Sequence, residues 1–239
     1  MQKIKLSILS TRPLSESIIK EAADQDILID CISFIETEPV KTPELTERLQ
    51  QLSLNNIHVV FTSMNAVEVV KEYLPSKPGW KIFSIGQTTK ELIVDFFGEE
   101  SIKGTADDAG KLADVIIGHR PEKLVFFCGD QRREELPERL IEEGIALEEI
   151  VVYKTRFTSQ KISKEYDGIL FFSPSAVESF FSANTISRYT IVFAIGDTTA
   201  NSISEKVNNK IIIAEKPGKE ELVKKMLAYL STEKQRLNE

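Results

Sequence analysis

The segment Ile82–Thr89, IFSIGQTT, returns 110 positions later as VFAIGDTT over Val192–Thr199. A second segment keeps the same offset: Ser63-Met-Asn-Ala-Val-Glu68 becomes Ser173-Pro-Ser-Ala-Val-Glu178. Two different motifs sharing one spacing mark two copies of one structural unit within the chain. Each motif lies where an apolar run gives way to a helical pattern, the position at which α/β proteins bind ligands. Over 239 residues the repeat implies two domains of about 110–120 residues each.

Apolar, β-branched runs alternate with helical patterns along the whole chain. Strands are expected near Ile4–Leu9, Leu28–Ile35, Ile57–Phe61, Lys81–Ile85, Ser101–Lys103, Leu124–Cys128, Leu147–Tyr153, Gly168–Phe172, Ile191–Ile195 and Ile211–Ala214. Helices fall between them, including a charge-rich one over Arg132–Glu143. Such alternation with short links argues for an α/β fold of parallel sheets covered on both faces, and ten strands divide into two five-stranded sheets. The repeat permits two partitions. A plain tandem is cut near Gly118–Pro121. The alternative is cut at Glu36–Pro43 and at Lys154–Ser163, two polar segments carrying Pro39, Pro43, Thr155 and Ser159. In that case the chain begins in one domain, passes through a continuous second one, and returns.

A formal charge of −7 with no basic run argues against a general nucleic-acid or membrane-surface role, which needs phosphate neutralisation. A small anion remains a candidate ligand through locally placed Lys and Arg. Cys31 and Cys128 lie in apolar strand contexts without C-x-x-C spacing, and buried free thiols are expected. His58 and His119 are the only histidines, and neither sits in a metal-ligand pattern. Met1 to Leu14 is broken by Ser7, Ser10, Thr11, Arg12 and Pro13 and does not read as a signal peptide. No run approaches the ~20 apolar residues of a membrane span. A soluble, cytoplasmic protein is the expectation.

Ser63 and Ser173 each follow a strand and precede a helix, with Asn65 and Ser175 two residues further on. A serine there caps a free helical N–H, or joins a helix N-terminus in receiving a carboxylate or phosphate. In Gly86-Gln-Thr-Thr89 and Gly196-Asp-Thr-Thr199, glycine permits a tight turn and close ligand approach, and Thr89 and Thr199 add hydroxyls. Four such turns at carboxyl ends of parallel strands suggest an anion-accepting crevice between the domains. The sequence carries no phosphate-binding loop, no G-x-S-x-G, no H-E-x-x-H and no nucleophile–histidine pair. Most of the Arg132–Glu143 helix reads as a solvated face. Arg133, following Gly129, is the exception, together with Arg12 past the first strand and Lys216 before Pro217-Gly218. Plain solvent exposure is the alternative for each cation. For Tyr153, closing Ile150-Val-Val-Tyr153, the alternative is a half-buried strand-edge tyrosine.

Together these pieces resemble the uroporphyrinogen-III synthase family. The resemblance rests on Thr11-Arg-Pro13, Phe61-Thr-Ser63-Met-Asn-Ala-Val67, Ile85-Gly-Gln-Thr-Thr89, Gly129 with Arg133-Glu-Glu-Leu136, and Gly144. It continues through Val152-Tyr-Lys-Thr155, Phe172-Ser-Pro-Ser-Ala-Val177, Ala194-Ile-Gly-Asp-Thr-Thr199 and Lys216-Pro217. Cys128 departs from it, since many relatives carry a basic residue before the glycine. The resemblance implies two flavodoxin-like domains with five-stranded parallel sheets and a two-stranded connector. The first domain would be discontinuous, 1–35 plus 158–239, around a second at 40–153, with linkers near 36–39 and 154–157. It implies cyclisation and dehydration of hydroxymethylbilane to uroporphyrinogen III with inversion of the last pyrrole ring, using no metal and no organic cofactor. Tyr153 would be the acid, with Thr89 and Thr199 facing each other across a cleft. Arg12, Ser63, Asn65, Gly86, Thr89, Gly129, Arg133, Ser173, Ser175, Gly196, Thr199 and Lys216 would hold the substrate. The partner implied is a linear, polycarboxylate tetrapyrrole; no nucleic acid or membrane enters, and a monomer is expected, with at most transient contact with the enzyme supplying the bilane. The competing reading is a non-catalytic small-molecule-binding or regulatory protein of the same fold.

Overall fold

Strand β1 (Leu6–Ser10) leads into α1 (Glu16–Ala23), β2 (Ile27–Cys31) and β3 (Ile35–Pro39). There follow α2 (Pro43–Ser53), β4 (His58–Phe61), α3 (Met64–Tyr73), β5 (Lys81–Ile85), α4 (Gln87–Phe97), β6 (Ile102–Ala106) and α5 (Ala109–His119). Next come β7 (Lys123–Gly129), α6 (Glu135–Glu142), β8 (Ala146–Phe157), β9 (Gly168–Phe171), α7 (Pro174–Phe181), β10 (Ile191–Ala194), α8 (Asp197–Ser204), β11 (Ile211–Ile213) and α9 (Lys219–Asn238). This computed structural model describes residues 5–216 and 218–238. Ile4, the expected start of the first strand, and Pro217 lie outside the described residues. The chain divides into unit 1, Met1–Glu36 with Arg156–Glu239, and unit 2, Thr37–Thr155.

Each unit is an α/β layer structure around its own sheet. Unit 1 orders its strands β11-β10-β9-β1-β2, and the second sheet runs β3-β8-β7-β4-β5-β6. Apart from β3, the strand pairs of both sheets are parallel. Parallel strands bury both faces, so alternate residues feed two cores. In β4, Val59 and Phe61 join the cluster around Trp80, Phe97 and Phe127, while Val60 joins the one around Phe83 and Leu112. In β1, Ile8 and Leu9 divide in the same way. The Trp80 indole N–H, removed from water, donates to the Leu52 carbonyl at 3.1 Å, which spares the fold an unpaired buried donor. Among the described residues no helix is long and apolar enough to cross a membrane.

The repeat is visible in the register. Val59 lies opposite Ile82, and Ile169 lies opposite Val192, both shifted by the sequence offset of 110. The match extends to the remaining strands once β7 and β8 are set against β1 and β2. Val125 stands opposite Glu148 and Leu9 opposite Asp30, so the two carboxylates occupy equivalent places. The turns before β2 and β8 also match: Asp26 has φ 59° and Gly144 φ 77°. Glycine adopts that left-handed backbone freely, whereas Asp is one of the few other residues that tolerate it.

Several elements differ from expectation. Among the described residues eleven strands form, not ten. The single run expected over Leu28–Ile35 breaks into β2 and β3, and β3 pairs with β8, giving the second sheet six strands rather than five. The Val40 N–H bonds the Val152 carbonyl at 2.8 Å and the Thr158 N–H bonds the Phe34 carbonyl at 3.0 Å, an antiparallel progression. Ladder hydrogen bonds, not apolar alternation, thus hold the polar sequence ETEP extended. The chain leaves unit 1 within β3 and returns within β8, which continues to Phe157. Helix α6 starts at Glu135, leaving Arg132 and Arg133 in the preceding turn. Cys31 is exposed rather than buried, because β2 is an edge strand; Cys128 is buried as expected.

Candidate functional site

In unit 2 the strand order reverses between β4 and β7, the point where α/β sheets open a crevice at their carboxyl ends. Ser63 follows β4 and caps α3, its Oγ accepting the Asn65 N–H at 3.1 Å. Gly129 ends β7. The β7–β8 register slips between Cys128 and Gly129, which places Tyr153 directly opposite Gly129; irregularities of this kind re-aim side chains beside sites. A Cβ on Gly129 would come within 2.5 Å of the Tyr153 Cε2 and Cζ atoms, so the phenol ring occupies space that only glycine leaves open. The Asp130 N–H bonds the Tyr153 carbonyl at 3.1 Å, and Asp130 Oδ1 accepts the Thr155 N–H at 2.9 Å, which fixes this end of β8.

The Tyr153 hydroxyl donates to Ser63 Oγ at 3.1 Å. With Asn65 N–H also bound, both Ser63 lone pairs are taken and its own proton is left to point elsewhere. Burial pushes the Tyr153 pKa above the ordinary phenol value, with the Ser63 hydrogen bond opposing. The phenol therefore stays a neutral donor at physiological pH. A cleft of about 150 Å³ beside it is lined by Asn65, Glu68, Val69, Glu72, Thr37 and Tyr153, among others. Burial also pushes the Cys128 thiol up to about 11, so this residue is uncharged and its sulfur is no thiolate nucleophile. Arg132 is neutralised by Glu134 and Glu149. Arg133 is exposed, with no ion pair among the described residues.

Unit 1 reverses its order between β1 and β9. Ser173 caps α7 by accepting the Ala176 N–H at 3.2 Å, with Pro174 preset for the first turn. Ser175 already has a partner. Thr11 staples the end of β1 to β9, its hydroxyl donating to the Leu170 carbonyl at 2.8 Å. Arg12 projects from there as an exposed residue. Lys219, at the start of α9, has its pKa lowered by burial and then by the Arg12 charge. Two like charges beside a helix N-terminus, itself partly positive, favour an anion. Lys216 is exposed in the bend after β11.

The sequence-derived candidates thus fall into separate groups. Ser63, Asn65, Gly129 and Tyr153 come together in unit 2. Ser173 and Arg12 flank the matching point of unit 1. Gly86, with φ 77°, and Gly196, extended at φ −179°, precede α4 and α8. Thr89 and Thr199 lie in the first turns of those helices at 6% and 2% exposure. Sequence reasoning missed Lys219, Glu68 and Glu72. Lys219 is foreshadowed only by its place one residue after Gly218, at a helix start, and Glu68 only by its repeat partner Glu178. Among the described residues no group of His, Cys, Asp and Glu could hold a metal ion.

These features define a two-unit α/β protein with parallel sheets and strand-end groups suited to a small anionic ligand. A sequence model of the family described as uroporphyrinogen-III synthase HemD matches residues 17–224, and the chain belongs to that family. It is 25% identical over 215 residues to the uroporphyrinogen-III synthase of Saccharomyces cerevisiae, covering 74% of this chain and 78% of the yeast protein. The crystal structure of uroporphyrinogen-III synthetase from Helicobacter pylori matches with a TM-score of 0.66 at 17% identity, covering 95% of this chain and 100% of that one. A mutant uroporphyrinogen III synthase from the extreme thermophile Thermus thermophilus matches with a TM-score of 0.66 at 14% identity, covering 96% and 99%. At such identities the structural likeness speaks for the fold.

Proposed function

We propose that this chain closes hydroxymethylbilane to uroporphyrinogen III, with loss of water and inversion of the terminal pyrrole ring. Family membership supports the reaction, and the observation that carries the mechanism is the Tyr153–Ser63 hydrogen bond over Gly129. The pyrrole nitrogen lone pair can expel the terminal hydroxyl, so neither a strong base nor a nucleophile is needed. The departing oxygen needs a proton, and Tyr153 with Ser63 is a donor pair whose outer proton is available to it. Capped helix starts at Ser63 and Ser173, the turns at Gly86 and Gly196, and Arg12, Lys216, Lys219 and Arg133 are the groups assigned to the carboxylates. Asn65 and Ser175, in the first turns, add polar contacts. Thr89 and Thr199 are assigned to shaping those turns. Holding a folded bilane favours attack through the inverted ring over direct closure.

Counting β1, β2, β9, β10 and β11 as one to five, the first sheet reads 2-1-3-4-5, which supports a flavodoxin-like unit. The second sheet follows the same spatial order with its connections permuted. The same reading takes the protein as a cytoplasmic monomer binding a polycarboxylate tetrapyrrole, testable by sedimentation and cell fractionation. A coupled assay supplying hydroxymethylbilane tests the whole. Spontaneous closure gives isomer I, so isomer III as the main product is expected, and a ratio unchanged by the protein would refute the activity. The non-catalytic alternative is not favoured by the family.

A further inference from the structure

We propose that Glu68 is a further catalytic residue, an anion that stabilises the positive charge formed on the pyrrole ring as hydroxide departs. This rests on the functional reading above and goes beyond it. The repeat supplies the first observation. In unit 1 the equivalent Glu178 is tied to Lys206 at 2.9 Å. The offset of 110 places Phe96 at the position of Lys206, and the alignment is secure because Ile93 and Ile203 are both fully buried one turn earlier. Unit 2 thus has no cation at the position that holds this carboxylate in unit 1, and Glu68 makes no ion pair or hydrogen bond among the described residues. The second observation is its place: Glu68 is an exposed residue that lines the same cleft as Tyr153 and Asn65.

An unpaired carboxylate beside the donor is a liability for ground-state binding, because the substrate is itself a polycarboxylate. It is an asset in the transition state. When the C–O bond breaks, its electron pair leaves with oxygen, which takes the proton from the Tyr153–Ser63 pair and departs as water. The pyrrole nitrogen lone pair forms the new double bond, so the ring becomes a cation. A carboxylate at the cleft wall stabilises that charge without bonding to it. After the carbon–carbon bond closes, the attacked ring loses a proton and returns it to the donor pair, so atoms and charge balance over the cycle. A cleft of about 150 Å³ has room for one pyrrole ring of the four, and the donor pair beside it would select the terminal ring that carries the hydroxyl.

Opposite effects on kcat and KM separate this role from a structural one. Glu68→Gln should lower kcat at least ~10-fold while lowering KM roughly threefold to fivefold, as one repulsion between carboxylates is relieved. Glu178→Gln, the repeat counterpart, should leave both constants unchanged. Phe96→Lys offers Glu68 the partner that Glu178 has, and should lower kcat in the same direction; Phe96→Met, which offers none, should not. Full kcat in Glu68→Gln, or a raised KM with kcat intact, would overturn the proposal while leaving the isomer III activity of the unaltered protein standing. Loss of kcat in Phe96→Met equal to that in Phe96→Lys would assign the Phe96 effect to packing, and the Glu68→Gln split alone would then decide. Absence of isomer III from the unaltered protein would instead remove the functional reading, and this inference with it.

Discussion

The two units place the same serine-capped helix at the same point of the same sheet, yet furnish it differently. In unit 2, Ser63 meets a phenol delivered by β8 over a glycine. In unit 1, Ser173 has no such neighbour among the described residues: β2, the counterpart of β8, ends at Cys31 and carries no tyrosine, and the strand end holds Arg12 near Lys219 instead. Duplication therefore preserved the scaffold and its caps, while the side chains around them diverged. One copy holds a half-buried phenol hydrogen-bonded to the capping serine; the other holds two cations close together. The small changes responsible are a slipped register at Cys128–Gly129 and a different residue at the start of a helix.

The comparison breaks most sharply if the phenol is dispensable. Tyr153→Phe keeps the ring on Gly129 and removes one hydrogen bond, so folding should cost about 1 kcal/mol. The rate of isomer III formation should fall by a factor on the order of 10²–10⁴, the span of a positioned general acid. Substrate affinity should change far less. The upward shift of the Tyr153 pKa adds a pH signature: activity dependent on the protonated phenol persists to a pH above the ordinary phenol range and falls only beyond it. A folded Tyr153→Phe enzyme at full rate would leave unit 2 with positioning alone.

Gly129→Ala tests whether the glycine exists for the ring. A Cβ at 2.5 Å from two ring atoms cannot be accommodated without moving Tyr153 or the strand. We expect a stability loss of about 1–3 kcal/mol from overpacking, and a fall in kcat of about 10² from a displaced donor. Combining it with Tyr153→Phe should add little to either single loss of rate. Independent, multiplying losses would show that Gly129 acts on something other than Tyr153.

How far the sequence reveals these features depends on the kind of interaction that makes them. The parallel α/β layers are legible because buried strands such as Leu124–Cys128 are continuous apolar runs, and the duplicated motifs mark equivalent turns. Strand β3 is legible only through the two-stranded connector that the resemblance implies: Glu36 and Glu38 give it no apolar face, and pairing with β8 is what makes it extended. Cys31 looks buried within an apolar run because edge and centre strands share composition. Tyr153 is legible as a candidate through family resemblance, but its contact with Ser63 depends on a one-residue slip that no local pattern encodes. Lys219 and Glu68 sit among ordinary helical charges, and only three-dimensional neighbours distinguish them.

The cations of unit 1 should matter for binding rather than for the chemical step. Lys219→Met keeps much of the apolar stem and removes the charge that Arg12 opposes. If this pair receives a substrate carboxylate, KM should rise about fivefold to tenfold, close to the 1.4 kcal/mol of a tenfold change, with kcat little altered. The effect should shrink as salt rises, since exposed charges are screened. A drop in kcat at constant KM would move Lys219 out of binding and erase the division of labour between the units.

The smallest effect concerns the equivalent carboxylates Asp30 and Glu148, which both units keep for stability. Lys164 donates to Asp30 at 2.7 Å and the Tyr166 hydroxyl at 2.9 Å. The Lys164 hydrogen bond holds the Asp30 carboxyl below its usual range. Burial and the Asp30 carboxylate push the Tyr166 phenol up to about 12. A depressed carboxyl contributes stability that is present above the unfolded value and lost as pH falls through the folded one, so this contribution should fade below about pH 4. The raised phenol acts at the other end, its contribution complete below the ordinary phenol value and lost as pH climbs towards 12. Asp30 is 46% exposed at its side chain, and solvent screening limits the pair to about 0.2–1 kcal/mol. Asp30→Asn should therefore flatten the acid limb of unit 1 unfolding by no more than that, measured by urea titration at several pH values. Glu148, held by Arg48 and Lys123 at 2.6 and 2.7 Å with 25% side-chain exposure, should show the larger acid sensitivity of the two. An acid limb steeper for Asp30 than for Glu148 would mean that burial does not rank these paired sites.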